Sequence, residues 1–423
     1  MSARKNILFL ANRVPFPPDK GDKIRTFHQL DRLARSHNVY AACFTETPRD
    51  VELAAALKRW CVEVVALPWN RRIGLVRAIR TLSSGRPLTV AVYRDPRLTK
   101  ALADLARRVP FDVVTAFSSY MAPYALAVPA GRRILDLCDV DSEKWRDFSK
   151  NSRWPVSPAY RLEARRLRAY EERCLTEFDA TIVITDRERE IIDPLLVREF
   201  LLAPAPRRAG PTLHVIANGV ELPVREPAPP SSCGPVVGFV GAMDYRPNAR
   251  GICWFAREVW PRIVRDVGTA TLLIVGRNPA RRVRRLAGVP GVIVTGEVLD
   301  VRDELARCRV VVAPLQVARG LQNKVLEAMA MRRPVVATST VVGGLSVRPG
   351  REILVADEPG EFAERVLALC RSDDLCDRIG NAGHRCVAAQ YCWTVVLDRY
   401  ERVLLGSPPA EPVMPQAREA AEA

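Results

Sequence analysis

The sequence predicts an α/β protein built from two doubly wound, parallel-sheet domains, and three observations predict it. Short apolar, β-branched runs recur along all but the tail of the 423 residues, with helix-like stretches between them. These runs are continuously apolar rather than alternating, which marks strands buried on both faces and covered by helices. One stretch, "ELPVREPAPPSSCGP" (221–235), is Pro/Ser-rich and without periodicity, and it divides the runs into two series. A chain of this length is also too long for a single ordinary core.

In the first series the expected strands are "NILFLA", "VYAACF", "VEVVAL", "DVVTAF", "RILDLC", "TIVIT" and "HVIA". In the second they are "VVGFVG", "TLLIVG", "GVIVTG", "RVVVAPL", "PVVAT" and "EILVA". The domains are expected at 1–220 and 236–389, joined by the linker. The stretch 390–405, "QYCWTVVLDRYERVLL", reads as an amphipathic helix packing back on the first domain. Residues 406–423 read as a disordered Pro/Ala/Glu-rich tail. Open parallel sheets bind ligands beyond the carboxyl ends of their strands, so the expected site is a cleft between the domains.

Composition narrows the partner. Hydrophobic residues make up 48% and charged residues 26%, a globular balance. The net charge of +16 calls for an anionic partner: nucleic acid, an anionic membrane surface or phosphorylated small molecules. Aromatics are only 7% and no zinc-finger or RNA-binding motif occurs, so nucleic acid is set aside. Eleven scattered cysteines without a CxxC pair indicate reduced thiols, and four separated histidines argue against a histidine metal site. The first apolar run spans only about five residues and none approaches ~18, so a cytoplasmic protein that touches a membrane is expected.

The stretch "ARGLQNKVLEAMAMRRP" (318–334) holds a physical oddity. It reads as a glycine opening a helix that Pro334 stops, with Leu326, Met329 and Ala330 at core spacing. Yet Arg319 and Lys324 flank the helix start, where each cation opposes the macrodipole by roughly 0.3–1 kcal/mol. A bound anion removes the conflict, because a helix N-terminus already presents amides to it. Gly320 permits close backbone approach, the amides near Leu321, Gln322 and Asn323 can donate, and Lys324 adds a point charge. The competing reading makes Asn323 a plain N-cap with Lys324 solvated. Glu327 lies outside the capping-box position that would then apply.

Four stretches, "GFVGAMDYRPNARGICWF", "LLIVGRNP", "VIVTGEVLDVRDELARCRVVVAPL" and "GLQNKVLEAMAMRRPVVATS", follow one another as in a GT-B glycosyltransferase of the GT4 (group 1) type, which the chain resembles over about residues 5–400. "ILFLANRVPFPPDKGDKIRTFHQL" and "DLCDVDSEKW" further resemble the sugar transferases of exopolysaccharide and PEP-CTERM/EpsH systems. The resemblance implies retaining transfer from a nucleoside-diphosphate sugar, without metal or other cofactor. It implies that Glu327 accepts from the nucleotide ribose, a task suited to a carboxylate. Family members often carry another glutamate eight positions earlier, where this chain has Arg319. Arg319 then reaches either the diphosphate or a carboxylate on the donor sugar.

The same resemblance bears on other positions. After the first strand of the second domain, Gly241 reads as a close-approach glycine or a plain turn, and Arg246 as a loose phosphate contact whose usual companion lysine is missing. Arg277 in "VGRNP" contacts phosphate or base, or is simply exposed. Val298 in "GEVLDV" falls in the loop that holds the nucleobase through backbone atoms. In "PFPPDKGDKIRT" Gly21 stands at the glycine loop, and Lys20, Lys23 and Arg25 repeat the pattern of cations at a helix start. Relatives frequently carry a His-Asp pair where this chain has Cys138-Asp139; either Asp139 or Asp141 would orient an acceptor or donor-sugar hydroxyl, and Asp141 reads equally as a helix cap. "IANGVE" (216–221) is expected to turn at Asn218 and Gly219.

Two further segments, "WNRRIGLVRAIRTL" (69–82) and "RWPVSPAYRLEARRLRAY" (153–170), are basic and aromatic. Leu75, Ile79 and Leu82 share a stripe bordered by arginines, which suits either an interfacial helix on anionic lipid or a domain-packing helix. The sequence as a whole thus reads as a glycosyltransferase taking the sugar of a nucleoside-diphosphate sugar to a glycan acceptor, expected to be lipid-linked, in exopolysaccharide biosynthesis. A nucleotide-sugar epimerase of the same architecture and a non-catalytic scaffold of a polysaccharide assembly are its rivals. A dehydrogenase is disfavoured because "ANRVPFPPDKG" replaces a GxGxxG turn.

Overall fold

The computed structural model describes residues 3–80, 85–202, 211–223, 234–318 and 320–407. The chain forms two compact units, crossing from the first to the second at Ala217/Asn218 and returning at Val396/Leu397. Most of the Pro/Ser-rich segment, Leu82, Arg319 and residues 408–423 lie outside the described residues.

The first unit carries seven strands: β1 (Asn6–Leu10), β2 (Asn38–Thr45), β3 (Glu63–Pro68), β4 (Phe111–Phe117), β5 (Ala130–Cys138), β6 (Ala180–Val183) and β7 (Thr212–Val215). All pair in parallel, in the order β3-β2-β1-β4-β5-β6-β7. The second unit carries β8 (Val236–Val240), β9 (Thr271–Val275), β10 (Val292–Gly296), β11 (Val310–Ala313), β12 (Val335–Ala337) and β13 (Leu354–Val355), in the order β10-β9-β8-β11-β12-β13. Each of the thirteen apolar runs becomes a strand. Burial follows sheet position: β8 and β11, inside the sheet, are fully buried, whereas β3, β7 and β10 at the edges stay partly exposed.

Both sheets reverse strand order beside their first strand, β1 or β8, which makes a crevice at the carboxyl ends of the neighbouring strands. Helix Trp393–Leu405 returns the chain to the first unit, where the Tyr400 hydroxyl lies 3.0 Å from Thr115 Oγ1 and Arg32 Nε donates to Glu401 at 2.8 Å. The expected turn at Asn218–Gly219 does not form. Instead, Val220 bridges Cys392, and a Cβ on Gly219 would lie 2.3 Å from the Trp393 ring. Gly219 serves close packing, not chain reversal.

Candidate active site

In the second unit the carboxyl ends of β8 and β9 meet through two glycines. Gly241 has φ +159° and Gly276 φ +155°, and a Cβ on Gly276 would fall 1.7 Å from the Gly241 carbonyl oxygen. No side chain fits there. Beyond Gly241, helix Arg246–Trp254 buries Asn248 in its first turn, where Nδ2 donates to the Ala242 carbonyl at 3.0 Å. Its other amide atom, Oδ1, accepts from Lys324 Nζ. The same ammonium stands 5.1 Å from the centre of the Phe239 ring, a cation–π contact from β8 itself. A Cβ at Gly241 would crowd both Asn248 and Lys324, at 2.6 and 3.3 Å.

Lys324 belongs to helix Asn323–Ala330, which forms because Val325, Leu326, Ala328, Met329 and Ala330 all bury. Gln322 takes the N-cap position with no side-chain cap, and no acidic residue stands in the first turn. Asn323 is therefore not the cap; it opens the helix, and its Oδ1 is buried without a hydrogen-bond partner. Ahead of it Gly320 adopts φ +59°, and its carbonyl lies 3.0 Å from where Gly344 would carry a Cβ. Burial lowers the Lys324 pKa to about 8, with Glu327 pulling the other way. Burial raises the Glu327 carboxyl, opposed by Lys324 and then by Arg302. Arg302 is fixed by Asp300, its Nε donating to both carboxylate oxygens.

Gly241, Gly276, Asn323 and Lys324 thus gather at one end of the second sheet, with Glu327 within charge range of Lys324. Leu321 and Gln322 are half-buried in the loop before the helix, and Val298 is half-buried between β10 and helix Val301–Arg307. Arg246 and Arg277 are both exposed; the Arg277 carbonyl, not its side chain, accepts from Met243 N at 3.0 Å. Sequence reasoning missed Asn248. Its signal was a polar residue on the apolar stripe of its helix beside Ala249 and Ile252.

In the first unit the ends of β4 and β5 carry two left-handed non-glycine residues, Ser118 (φ 73°) and Cys138 (φ 61°). Such backbone strain concentrates where a loop must be held in one shape. Asp139 is exposed, whereas Asp141, half-buried, opens helix Asp141–Asn151. Burial lifts the Asp141 carboxyl to about 6, and Asp139 adds to the rise, while Lys144 and a hydrogen bond from Ser118 oppose it. Asp141 is not the cap: Val140 holds that position, and Glu171 from helix Val156–Glu177 accepts from Ser142 N at 3.2 Å and from its hydroxyl. Burial and Asp139, which hydrogen-bonds to it, raise the Glu188 carboxyl.

The cations at the start of helix Gly21–Ser36 do not repeat the pattern at Lys324. Arg25 is buried in a two-pronged pair with Asp136, at 2.8 and 3.2 Å, and donates to the Ala217 carbonyl. Gln29 completes the cluster by donating to Asp136 at 2.7 Å. Lys23 lies 3.5 Å from Asp19. Two of these three cations are thus neutralised internally, and the third, Lys20, is exposed beside exposed Gly21. Nearby, Trp69, Tyr93 and Tyr120 stack face to face, with centroids 4.9 and 4.6 Å apart, beyond the ends of β3 and β4. No sequence signal joined these three rings.

Residues 234–372 match the family model described as Glycosyl transferases group 1. No curated protein matches the chain by sequence. Among solved structures, sucrose-phosphate synthase from Thermosynechococcus elongatus is similar over 96% of this chain and 100% of that one, with TM-score 0.64 at 16% identity. Anabaena HepE, solved with UDP-glucose, covers 95% of this chain and 100% of its own, with TM-score 0.62 at 14% identity. A variant of S. aureus TarM, solved with Fondaparinux, alpha-GlcNAc-glycerol and UDP, covers 95% and 99%, with TM-score 0.60 at 10% identity. At such identities likeness establishes the fold, which is GT-B. The matched segment lies within the second unit, which carries the group 1 likeness, and the chain is a glycosyltransferase.

Proposed function

We propose that this enzyme transfers a sugar, with retention and without a metal, from a nucleoside-diphosphate sugar to a glycan acceptor in bacterial exopolysaccharide assembly of the PEP-CTERM/EpsH kind. The acceptor is lipid-linked and met at the cytoplasmic face of an anionic membrane. One observation carries the donor side of the reading. The Lys324 ammonium is buried at the positive end of a helix, its hydrogen-bond acceptor is the neutral Asn248, and no acidic residue stands in that helix's first turn. Desolvation and helix dipole both disfavour a cation there, and a diphosphate reverses both.

The chemistry follows from where charge develops. As the glycosidic C–O bond breaks, negative charge grows on the diphosphate, and Lys324 with the amides of Asn323 and its neighbours stabilises it. Gly241 and Gly276 keep the adjoining surface free of side chains, so backbone and phosphate can approach. Glu327 accepts from the ribose hydroxyls. The departing phosphate takes the acceptor proton on the same face, which accounts for retention without a protein nucleophile. Asp139 and Asp141 orient a hydroxyl of acceptor or sugar, Arg246, Arg277 and Arg319 add peripheral charge, and Gly21 and Val298 contribute backbone contacts. Support for a nucleotide donor also comes from HepE and TarM, solved with UDP-glucose and UDP.

The test is calorimetry and turnover with UDP-, GDP-, ADP- and dTDP-sugars, on the wild type and on Lys324→Ala and Glu327→Ala. Each variant should lose well over tenfold in turnover, the loss of one charge-assisted contact or more, while its melting temperature holds. Near-native rates in either, or no affinity for any nucleoside diphosphate, would refute the reading.

A further inference from the structure

We infer that the first unit docks on an anionic lipid bilayer through helix Arg71–Arg80, with the exposed turn at Trp154 as a second contact. This specifies the membrane side of the proposed function and rests on it only for its purpose; docking is measured without donor or acceptor.

The helix packs by its small residues. Gly74 and Ala78 are buried, and a Cβ on Gly74 would lie 2.5 Å from the Val92 carbonyl oxygen. Its apolar residues turn the other way: Ile73, Leu75, Val76 and Ile79 are 50–54% exposed. A domain-packing helix would bury this stripe, so the sequence's two readings of the segment separate here. Exposed Arg71 and Arg72 border it. Four branched apolar side chains on one exposed surface, with two exposed arginines beside them, fit a bilayer interface: the chains enter the acyl boundary and the guanidinium groups meet lipid phosphate.

The second basic and aromatic segment is joined to the first through helix Leu88–Val92. That helix receives Gly74 on one side. On the other, the Leu88 and Thr89 amides both donate to Glu163 of helix Val156–Glu177, at 2.8 Å. At the start of the latter helix stands Trp154, 84% exposed, beside exposed Arg153 and Val156. Trp favours the headgroup level of a membrane, where one edge is wet and the other apolar. Two segments about eighty positions apart in the chain, with matching chemistry, thus both pack on helix Leu88–Val92 of the first unit. No helix among the described residues is long and apolar enough to cross a membrane, so the contact proposed is peripheral.

The experiment is co-sedimentation of the full chain with vesicles of phosphatidylcholine alone and of phosphatidylcholine mixed with phosphatidylglycerol, at low and high salt. Binding to the mixed vesicles only, weakened by salt, is expected. Arg72→Gln should lower it roughly fivefold, the effect of one basic side chain at an anionic surface. Leu75→Ser with Ile79→Ser should lower it about tenfold or more. Both variants should keep wild-type melting temperatures and wild-type affinity for UDP, since these side chains lie on the surface of the first unit. Equal binding to both vesicles, or unchanged binding by the Leu75/Ile79 variant, overturns the proposal. So does displacement of the protein from vesicles by polyglutamate at low salt in the Leu75/Ile79 variant and wild type alike, which would make the surface a generic acidic-partner site. Loss of UDP affinity in the wild type would instead strike the donor reading and leave docking untouched.

Discussion

Lys324 Nζ donates to Asn248 Oδ1 although the two residues are 76 positions apart, and the same amide's Nδ2 is held by the Ala242 carbonyl. Asn248 is thereby oriented by backbone on one side and by a cation on the other. The arrangement fixes the ammonium without neutralising it. A carboxylate in that place would hold Lys324 more tightly and cancel the charge the proposed donor needs.

The Asn248 variants should therefore diverge. Asn248→Ala removes the positioning contact and should weaken UDP affinity by about tenfold, the value of a hydrogen bond to a charged group. Asn248→Asp keeps the contact but supplies a competing anion, so it should weaken affinity further and raise the Lys324 pKa. Isothermal calorimetry at several pH values separates the two. If Asn248→Asp binds UDP as well as wild type, Asn248 does not set the charge of this site.

Donor affinity should depend on alkaline pH through Lys324. Its pKa is lowered to about 8 by burial, so the charged form that attracts diphosphate is complete below that pH and lost above it. Between about pH 7 and 9 UDP affinity should fall, by at most tenfold per unit, for one proton. Lys324→Ala should bind weakly and show no such fall. A flat wild-type profile in this window would exclude Lys324 from the anion site.

Gly276→Ala should unfold the second unit rather than subtly alter it. The new Cβ would sit 1.7 Å from the Gly241 carbonyl oxygen with the backbone at φ +155°, and the two nearest atoms are backbone that cannot swing aside. A loss of about 3 kcal/mol or more is expected, read as a lowered denaturant midpoint. Gly21→Ala is the control. A Cβ there meets no protein atom, and stability should not change.

Glu171 should make stability fall as pH rises. Burial pushes its carboxyl up to about 8, against an ordinary value of 4.5, with the Ser142 hydrogen bonds opposing. The folded form then holds a proton that the unfolded chain releases, so this contribution is complete below about pH 4.5 and lost as pH passes 8. Melting temperature against pH should slope less in Glu171→Gln than in wild type across that window. Parallel slopes would show that the carboxyl is ionised in the fold.

Much of this was legible in the chain. Continuous apolar runs fix strands buried on both faces, because nothing else hides so much β-branched surface. The helix at 323–330 and its opposed cation could be seen for a similar reason: local periodicity and the sign of a dipole need no tertiary information. Arg25 shows the limit. At the start of a helix it reads as a companion of Lys324, yet in the fold it is spent on Asp136 from β5, 111 positions away. Asn248 shows the converse: its place on an apolar stripe marks it locally, but nothing local names the lysine, 76 positions away, that it meets.

Sequence by itself therefore determined the strands, their parallel sense, the helix that carries Lys324 in its first turn and the excess of positive charge. Tertiary structure alone decided which cations keep their charge available, which glycines admit no side chain, and which way the apolar stripe of helix 71–80 faces. The division is physical. Strand and helix formation answer to periodicity within a few residues, whereas the ionisation and exposure of a side chain depend on groups that only folding brings within a few ångströms.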